Sequence, residues 1–266
     1  MSVADKILRA KADLDAVYEK GVADGKAQGG GGENPLMPII DGTIKELNAQ
    51  YLTGITSIRA YLFYQCGNLR SVVTPKNVTT IAAYAFSNCL ALKDVDVSAG
   101  LAIIGANAFY GCTYLTNVVL GNTLTNIGGH AFYNCGRLSS LTIPDSVTSV
   151  GDYVFYNCKA LESLVIGAKV SSVQVNTFYG CTGLVNVEVK GTIASNIAFT
   201  QSTLLSYDSI TSIIEHLSDT ATGKTLTFSK TAVDNAFKTD INPEGSTTRD
   251  WAMLVSTKSN WTIKLS

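Results

Sequence analysis

The chain has 266 residues, of which 46% are hydrophobic and only 15% are charged. Its formal net charge of −1 leaves no excess of basic residues for neutralising phosphates, which excludes nucleic acid as an expected partner. No apolar run is long enough for a membrane-spanning helix, so a membrane span is not expected either.

The first predicted element is a helix over residues 2–20, which begins at a capping Ser2. Apolar residues recur along it at alternating spacings of four and three, the pattern of a coiled-coil seam. The seam consists of Val3, Ile7, Ala10, Leu14 and Val17. Because an isolated helix of this length is marginal in water, we expect self-association into a homo-oligomer. Docking of the helix on the first repeat, or disorder, are the alternatives.

A flexible joint follows the helix. Glycines recur at Gly21, Gly25 and Gly29, and the run continues to Gly32. Residues 1–32 are therefore predicted to form a helix and a glycine linker, and residues 33–53 an N-terminal cap. The stretch 10–21 resembles leader segments of structural proteins from gut phages and Firmicutes. This resemblance implies a short oligomerising helix that carries a rigid head.

The centre of the chain is an internal repeat. A cysteine recurs every 23 residues, at Cys66, Cys89, Cys112, Cys135, Cys158 and Cys181. A constant period over this length indicates equivalent positions in the successive coils of a solenoid. A Phe lies three residues before each Cys and a Leu three residues after it, a spacing that suits a short helical or 3₁₀ return. Gly105, Gly128 and Gly151 are expected to open this return with a tight bend.

Each coil also contains one predicted short strand. The positions six and eight residues after each Cys are mainly apolar and alternate with polar residues, which indicates a strand with one buried face. Strands of neighbouring coils should pair in parallel, about 4.8 Å apart. The predicted fold is an α/β repeat solenoid over residues 54–199, in which short parallel strands alternate with short helical or 3₁₀ returns.

The segment 141–158 resembles the repeat of BspA-like leucine-rich repeat proteins, and the resemblance extends over about residues 43–199. It implies the leucine-rich-repeat fold, with a concave binding surface formed by the outward side of the strands. The outward polar positions are Asp94, Asp96, Asn117, Ser140, Thr142, Ser163, Asn186 and Glu188. Their hydroxyl, amide and carboxylate groups would suit a glycan or a polar patch of a protein.

A second candidate surface is a stripe of tyrosines, each directly after the buried Phe of its coil. The stripe consists of Tyr64, Tyr110, Tyr133, Tyr156 and Tyr179, with Ser87 interrupting it. Tyrosine is a frequent contact residue at interfaces and can stack on sugars. The alternative is that the rings pack on one another between coils.

Catalytic and metal-binding chemistry is not predicted. The cysteines are expected to be buried free thiols, because equivalent side chains of stacked coils point the same way and offer one sulfur per coil. His130 is expected to be a surface substitution, and His216 lies on a helix; neither has a ligand at metal-site spacing. Asp94 and Asp96 share a strand face and could support acid–base chemistry or Ca²⁺ binding, but a solvated polar face is the favoured interpretation. No enzyme activity and no cofactor are therefore expected.

Residues 200–266 leave the 23-residue period and are predicted to form a β/α C-terminal cap. Patterning indicates helices over 208–218, 232–237 and 250–256 and strands over 225–229 and 261–265. The unit resembles the caps that follow BspA-like repeats in Firmicutes and their phages. Such a cap covers the exposed end of the last coil.

These patterns predict a non-catalytic binding or adhesion protein, with a phage tail component that binds a receptor or a surface as the first interpretation. The expected partner is a protein or glycan on a cell surface. A bacterial surface adhesin without its leader, or a structural protein of a larger assembly, are the alternatives. The N-terminus lacks the apolar core of a signal peptide. We expect a location in a virion or on an extracellular surface. Cytoplasmic synthesis without secretion is the alternative.

Overall fold

The computed structural model describes Ile39, residues 43–238 and residues 251–266. The predicted N-terminal helix, its seam at Val3, Ile7, Ala10, Leu14 and Val17, and the glycine joint lie outside these residues. The described residues form a parallel-strand solenoid whose coils repeat every 23 residues, as the cysteine spacing predicts.

One strand of each coil lies on a common face, here called the strand face. These strands are β1 (Glu46–Leu47), β3 (Ser71–Val73), β5 (Asp94–Val97), β7 (Asn117–Leu120), β9 (Ser140–Thr142), β11 (Ser163–Ile166) and β12 (Asn186–Val189). They pair in parallel as two sheets, one in the order β1-β3-β5-β7 and one in the order β12-β11-β9. Equivalent residues are in register, so that the buried Val95 lies beside the buried Val118.

A second row of strands lies on another side of each coil. Its members have two residues each and are β2 (Ser57–Ile58), β4 (Thr80–Ile81), β6 (Ile103–Ile104), β8 (Asn126–Ile127) and β10 (Ser149–Val150). They form one continuous parallel sheet. The prediction of a single strand per coil was therefore wrong. Two residues are too few to show the alternation by which a strand is recognised in a sequence.

The return between the two rows is a series of turns. Cys89 N–H donates to the Phe86 carbonyl and Leu92 N–H to the Cys89 carbonyl, so the three-residue spacing is present in the hydrogen bonds. Two residues of each of the first five returns have left-handed backbone, for example Tyr84 with φ 60° and Asn88 with φ 58°. Left-handed residues cannot continue a right-handed helix, so the return does not form a continuous helix.

The Gly column of the return has a different role from the predicted one. Gly105, Gly128 and Gly151 are not among the residues with positive φ. A Cβ atom on Gly128 would lie 2.5 Å from the backbone nitrogen of Ala106 in the preceding coil. Glycine is therefore required here because the backbones of adjacent coils approach closely.

The Phe, Cys and Leu columns form the core. The Phe rings of neighbouring coils stack, with centroids 5.3 Å apart between Phe86 and Phe109 and 5.4 Å apart between Phe109 and Phe132. All six cysteines are buried free thiols, which confirms that prediction. From the second coil onward each thiol also donates to a Phe carbonyl of the preceding coil, as Cys112 Sγ does to Phe86 at 3.2 Å. Burial raises the pKa of the Cys112 thiol to about 12.

The C-terminal unit follows the solenoid directly. It consists of β13 (Ile197–Phe199), α1 (Tyr207–Glu215), β14 (Lys224–Phe228), α2 (Lys230–Lys238), α3 (Trp251–Ser256) and β15 (Trp261–Leu265). The three strands form a parallel sheet in the order β13-β14-β15. The Phe column continues into this unit through Phe199 and Phe228, whose rings are 6.1 Å apart.

Helix α1 covers the outer edge of β12. The Ser209 hydroxyl accepts a hydrogen bond from Val187 N–H at 2.8 Å and donates one to the Val185 carbonyl at 2.9 Å. The Ser212 hydroxyl accepts from Val189 N–H at 3.1 Å. Serine hydroxyls thus take the place of the next strand and satisfy the main-chain groups of an edge that would otherwise be open.

Candidate binding surface

The strand face positions the predicted polar residues by simple alternation. Along β5, β7, β9, β11 and β12, the residues between the buried apolar positions point outward. With the exception of Asp96, the side chains of the eight predicted residues make no hydrogen bond within the part of the chain that the structure describes. Those seven are Asp94, Asn117, Ser140, Thr142, Ser163, Asn186 and Glu188. Their polar groups are available to a ligand.

The two aspartates of β5 are not equivalent. Asp96 Oδ1 accepts hydrogen bonds from the Ser98 hydroxyl at 2.6 Å and from Ser98 N–H at 3.0 Å, and so stabilises the turn after the strand. Asp94 is exposed. Within the described residues, no group of three His, Cys, Asp or Glu side chains is placed to hold a metal ion. The pair is thus one turn-forming carboxylate and one solvated carboxylate.

The strand face is interrupted at one place, between β7 and β9. Elsewhere, the residue before each strand donates to its equivalent in the preceding coil, as Thr116 N–H does to Lys93 at 2.9 Å and Glu162 N–H to Ser139 at 2.8 Å. The corresponding bond from Ser139 N–H to the Thr116 carbonyl is missing among the described residues. β7 and β9 are neighbours but belong to different sheets. We call this interruption the seam.

Pro144 lies beside the seam and offers it no main-chain donor. At the end of β12, Lys190 N–H donates to the Ile166 carbonyl of the preceding coil at 2.9 Å. The equivalent donor toward the Leu120 carbonyl would be residue 144, and proline has no N–H. The second strand row and the returns continue across the same two coils. The solenoid is therefore opened on the strand face alone.

An open groove of about 270 Å³ lies along the seam. Its lining combines aliphatic and hydroxyl side chains, from Val118, Val119, Leu120, Ser140, Leu141, Thr142, Ser163 and Val165. Three of these, Ser140, Thr142 and Ser163, belong to the predicted site, whereas the acidic and amide residues of the strand face do not line the groove. The predicted site left out the outward valines, of which Val119 is 41% exposed. The available signals were Pro144 and an apolar residue at an outward position.

The tyrosine stripe forms a stacked ladder. Ring centroids are 4.8 Å apart between Tyr110 and Tyr133, 4.7 Å between Tyr133 and Tyr156, and 5.1 Å between Tyr156 and Tyr179. Desolvation by burial and the neighbouring phenols raise the pKa of Tyr133. Most ring faces are thus occupied by other rings, which is the packing alternative of the sequence analysis. Tyr64 is outside this ladder because Ser87 occupies the intervening coil.

A second column of rings lies beside the ladder. Tyr61 stacks on Tyr84 at 4.9 Å, and His130 stacks on Tyr153 at 5.1 Å. His130 also has left-handed backbone, with φ 59°, like its equivalents in neighbouring coils. It is half-buried, so it acts as a ring of this column and is more than a surface substitution.

Comparisons with solved structures give similar proteins of bacterial origin. A T. pallidum leucine-rich repeat protein is 26% identical, with a TM-score of 0.59 over 64% of this chain and 82% of that chain. The pneumococcal vaccine antigen PcpA is 23% identical, with a TM-score of 0.47 over 79% of this chain. A Eubacterium ventriosum leucine-rich repeat protein is 25% identical, with a TM-score of 0.41 over 57% of this chain and 51% of that chain. The match spans only 44% of the pneumococcal antigen.

No curated protein sequence matches the chain. In the described residues, no helix is long and apolar enough to cross a membrane. The sequence pattern described as a BspA type leucine rich repeat region matches in six copies, over residues 43–162 and 102–228, which is more than half of the chain. The chain therefore belongs to the BspA-type leucine-rich repeat family, a membership that is consistent with protein binding or adhesion.

Proposed function

We propose that this protein is a non-catalytic adhesion protein that binds a protein or glycan on a cell surface through its strand face. The observation that carries this proposal is the outward row of polar side chains that, apart from Asp96, make no hydrogen bond within the described residues. Core columns and stacked rings hold the coils together without them. The remaining polar groups therefore supply hydrogen bonds to a partner, in many weak contacts.

The setting that we propose is a phage tail component, presented by an oligomer of the N-terminal helix. The resemblance of residues 10–21 to phage leader segments supports it. Multivalent presentation would raise the avidity of weak individual contacts without any new contact. A bacterial surface adhesin is the second setting, and the likeness to the T. pallidum leucine-rich repeat protein favours a bacterial over a phage setting. The alternative of a structural protein in an assembly has no specific observation in its favour.

The proposed adhesion is tested by adding the fluorescently labelled full chain to a panel of intact bacteria and measuring retention by flow cytometry. Prior treatment of the cells with protease or periodate separates protein from glycan receptors. We expect saturable retention on a subset of strains. Absence of retention on every strain would contradict adhesion to bacteria. Glycan hydrolysis that is lost in Asp94→Asn would contradict a non-catalytic role.

The proposed oligomer is tested separately by light scattering of the full chain. The double variant Ile7→Asp with Leu14→Asp places charges on the predicted coiled-coil face of the N-terminal helix. Lys11→Asp is the matched variant away from that face. We expect a discrete oligomer for the wild type and Lys11→Asp, and a monomer for the double variant. Monomers in all three cases would remove the coiled coil from the proposal.

A further inference from the structure

The seam groove has the chemistry of a site for a particular kind of ligand. We propose that it receives one aliphatic side chain from an extended segment of a partner protein, and that acidic residues on both sides of the groove pair with basic residues of that segment. This inference rests on the proposed function, because it takes the strand face as the binding surface. It goes further by naming the partner class and the position of the contact.

The lining argues for an aliphatic side chain. Every lining residue is Val, Leu, Ser or Thr, so the groove has neither a charge nor an aromatic ring or amide. The lining has three hydroxyl groups, from Ser140, Thr142 and Ser163, but no aromatic ring on which a sugar could stack. Val119 is 41% exposed on the strand face, and a partner's aliphatic group would remove its side chain from water.

The seam also leaves a main-chain group for a peptide. Among the described residues, Ser139 N–H lacks the carbonyl acceptor that its equivalents Thr116 and Glu162 have in the preceding coil. Recognition of an extended peptide combines main-chain hydrogen bonds, which supply affinity, with a pocket for a side chain, which supplies specificity. A peptide can satisfy both features of the seam, whereas an aliphatic chain without amides can satisfy only one.

Charge on either side of the groove defines the rest of the segment. Asp94 and Asp96 lie on β5, one strand before β7, and Glu188 lies on β12, two strands beyond β9. With about 4.8 Å between strands, the acidic positions are about 7 Å and about 12 Å from the groove. An extended chain advances about 3.3 Å per residue. The segment therefore carries a basic residue two positions from its aliphatic residue on one side and another four positions away on the other.

The test uses the full chain and a labelled synthetic peptide, Gly-Ser-Lys-Ser-Leu-Ser-Gly-Ser-Lys-Ser-Gly, together with its reversed sequence, in fluorescence anisotropy at low salt. A companion peptide has Ser in place of Leu, and maltoheptaose serves as the glycan probe. The variant is Val119→Asn. The matched control is Val73→Asn, because Val73 occupies the equivalent position on β3, is 44% exposed and is outside the groove.

We expect one of the two Leu peptides to bind the wild type and Val73→Asn equally, and Val119→Asn at least tenfold more weakly. The Ser companion should bind all three proteins at least tenfold more weakly than the Leu peptide binds the wild type. Glu188→Gln should weaken the Leu peptide severalfold, and this loss should vanish when the distal Lys is replaced by Ser.

Equal binding of the Leu and Ser peptides, or equal binding by Val119→Asn and the wild type, would overturn the proposal. Binding of maltoheptaose that is lost in Val119→Asn would overturn the choice of a protein partner. If neither Leu peptide binds while labelled chain is still retained on cells, this inference fails and the proposed adhesion stands. Failure of both measurements removes the proposed function as well.

Discussion

The strand face and the return face belong to the same coils, yet they use the repeat in opposite ways. On the return face, Tyr133 stacks on Tyr110 and Tyr156, and the returns of the first four coils repeat the same hydrogen bonds to the next coil. On the strand face, the pairing stops between β7 and β9, and most outward polar side chains make no hydrogen bond to another described residue. Regular columns of side chains therefore connect the coils, whereas departures from the repeat leave polar groups free for recognition of a partner.

The two faces should therefore respond differently to substitution. A change in a regular column removes contacts on both sides of a coil and lowers the free energy of unfolding. A change on the strand face removes few contacts within the chain, so its effect should be on binding.

Phe109→Ala should have the largest effect on stability. The ring is fully buried and stacks on Phe86 and Phe132, so its removal leaves a cavity in the core. We expect a loss of about 3–5 kcal/mol in the free energy of unfolding, measured with urea. Ser140→Ala on the strand face is the control and should change it by less than about 0.5 kcal/mol. Similar losses for both variants would contradict the division between the faces.

Stability should fall steeply above pH 9. Desolvation by burial raises the pKa of the Cys112 thiol from 9.0 to about 12 in the folded chain, so the unfolded chain releases its proton first. The stability from the neutral thiol is complete below pH 9 and is lost as the pH rises toward 12. In this window, each such thiol should lower the free energy of unfolding by about 1.4 kcal/mol per pH unit.

The measurement is the free energy of unfolding from urea titrations between pH 8 and pH 11. Cys112→Ala is less stable throughout, but its pH slope should be shallower by one proton. Thiol reagents should label the cysteines only after denaturation. Identical slopes, or rapid labelling of the native chain, would contradict burial of the thiols.

Tyr133→Ser introduces the residue that coil two already has at this position, Ser87. It removes two ring stacks, and we expect a loss of about 2 kcal/mol in the free energy of unfolding. Tyr114→Ser is the control, because Tyr114 is exposed and contacts Arg137 rather than another ring. Retention on cells should be unchanged in both variants. Loss of retention in a folded Tyr133→Ser protein would assign binding to the ladder.

Pro144→Ser should have the smallest effect on stability. The new N–H gains a hydrogen bond of about 1 kcal/mol to the Leu120 carbonyl. Loss of the proline makes the unfolded chain more flexible. This lowers the free energy of unfolding by about 0.4–1 kcal/mol and offsets the gain from the hydrogen bond. The effect should instead appear in hydrogen exchange, with slower exchange in peptides of β7 and β9. Pro75→Ser, in the first coil, is the control and should not slow them. Unchanged exchange would show that Pro144 does not hold the seam open.

Much of the fold follows from the sequence because a 23-residue period makes every column visible six times. The buried positions of Phe86, Cys89 and Leu92 could be read directly from that spacing. The two-residue strands could not be predicted from the sequence, since a strand as short as β4 shows no alternation of apolar and polar residues. The left-handed residues could not either, because Tyr84 and Asn88 are different residue types that share a backbone conformation only through hydrogen bonds to the next coil.

The candidate surface could be predicted only in part. Alternation along each strand places Ser140, Thr142 and Ser163 outward, as expected. The seam depends on which main-chain donor faces which acceptor across two coils, and a sequence pattern does not contain that geometry. The hydrogen bond from Lys190 N–H to the Ile166 carbonyl identifies the Leu120 carbonyl as the acceptor that residue 144 would face. Without that structural comparison, Pro144 carries no information about the seam.

The most direct test of this account is retention of the labelled full chain on a bacterial strain that it binds, compared among the wild type, Val119→Asn, Val73→Asn and Tyr133→Ser. Circular dichroism and urea unfolding first establish that each variant is folded. The account predicts at least a tenfold loss of retention for Val119→Asn and retention equal to that of the wild type for the other two. Full retention by Val119→Asn together with loss in Tyr133→Ser would contradict it and place recognition on the return face.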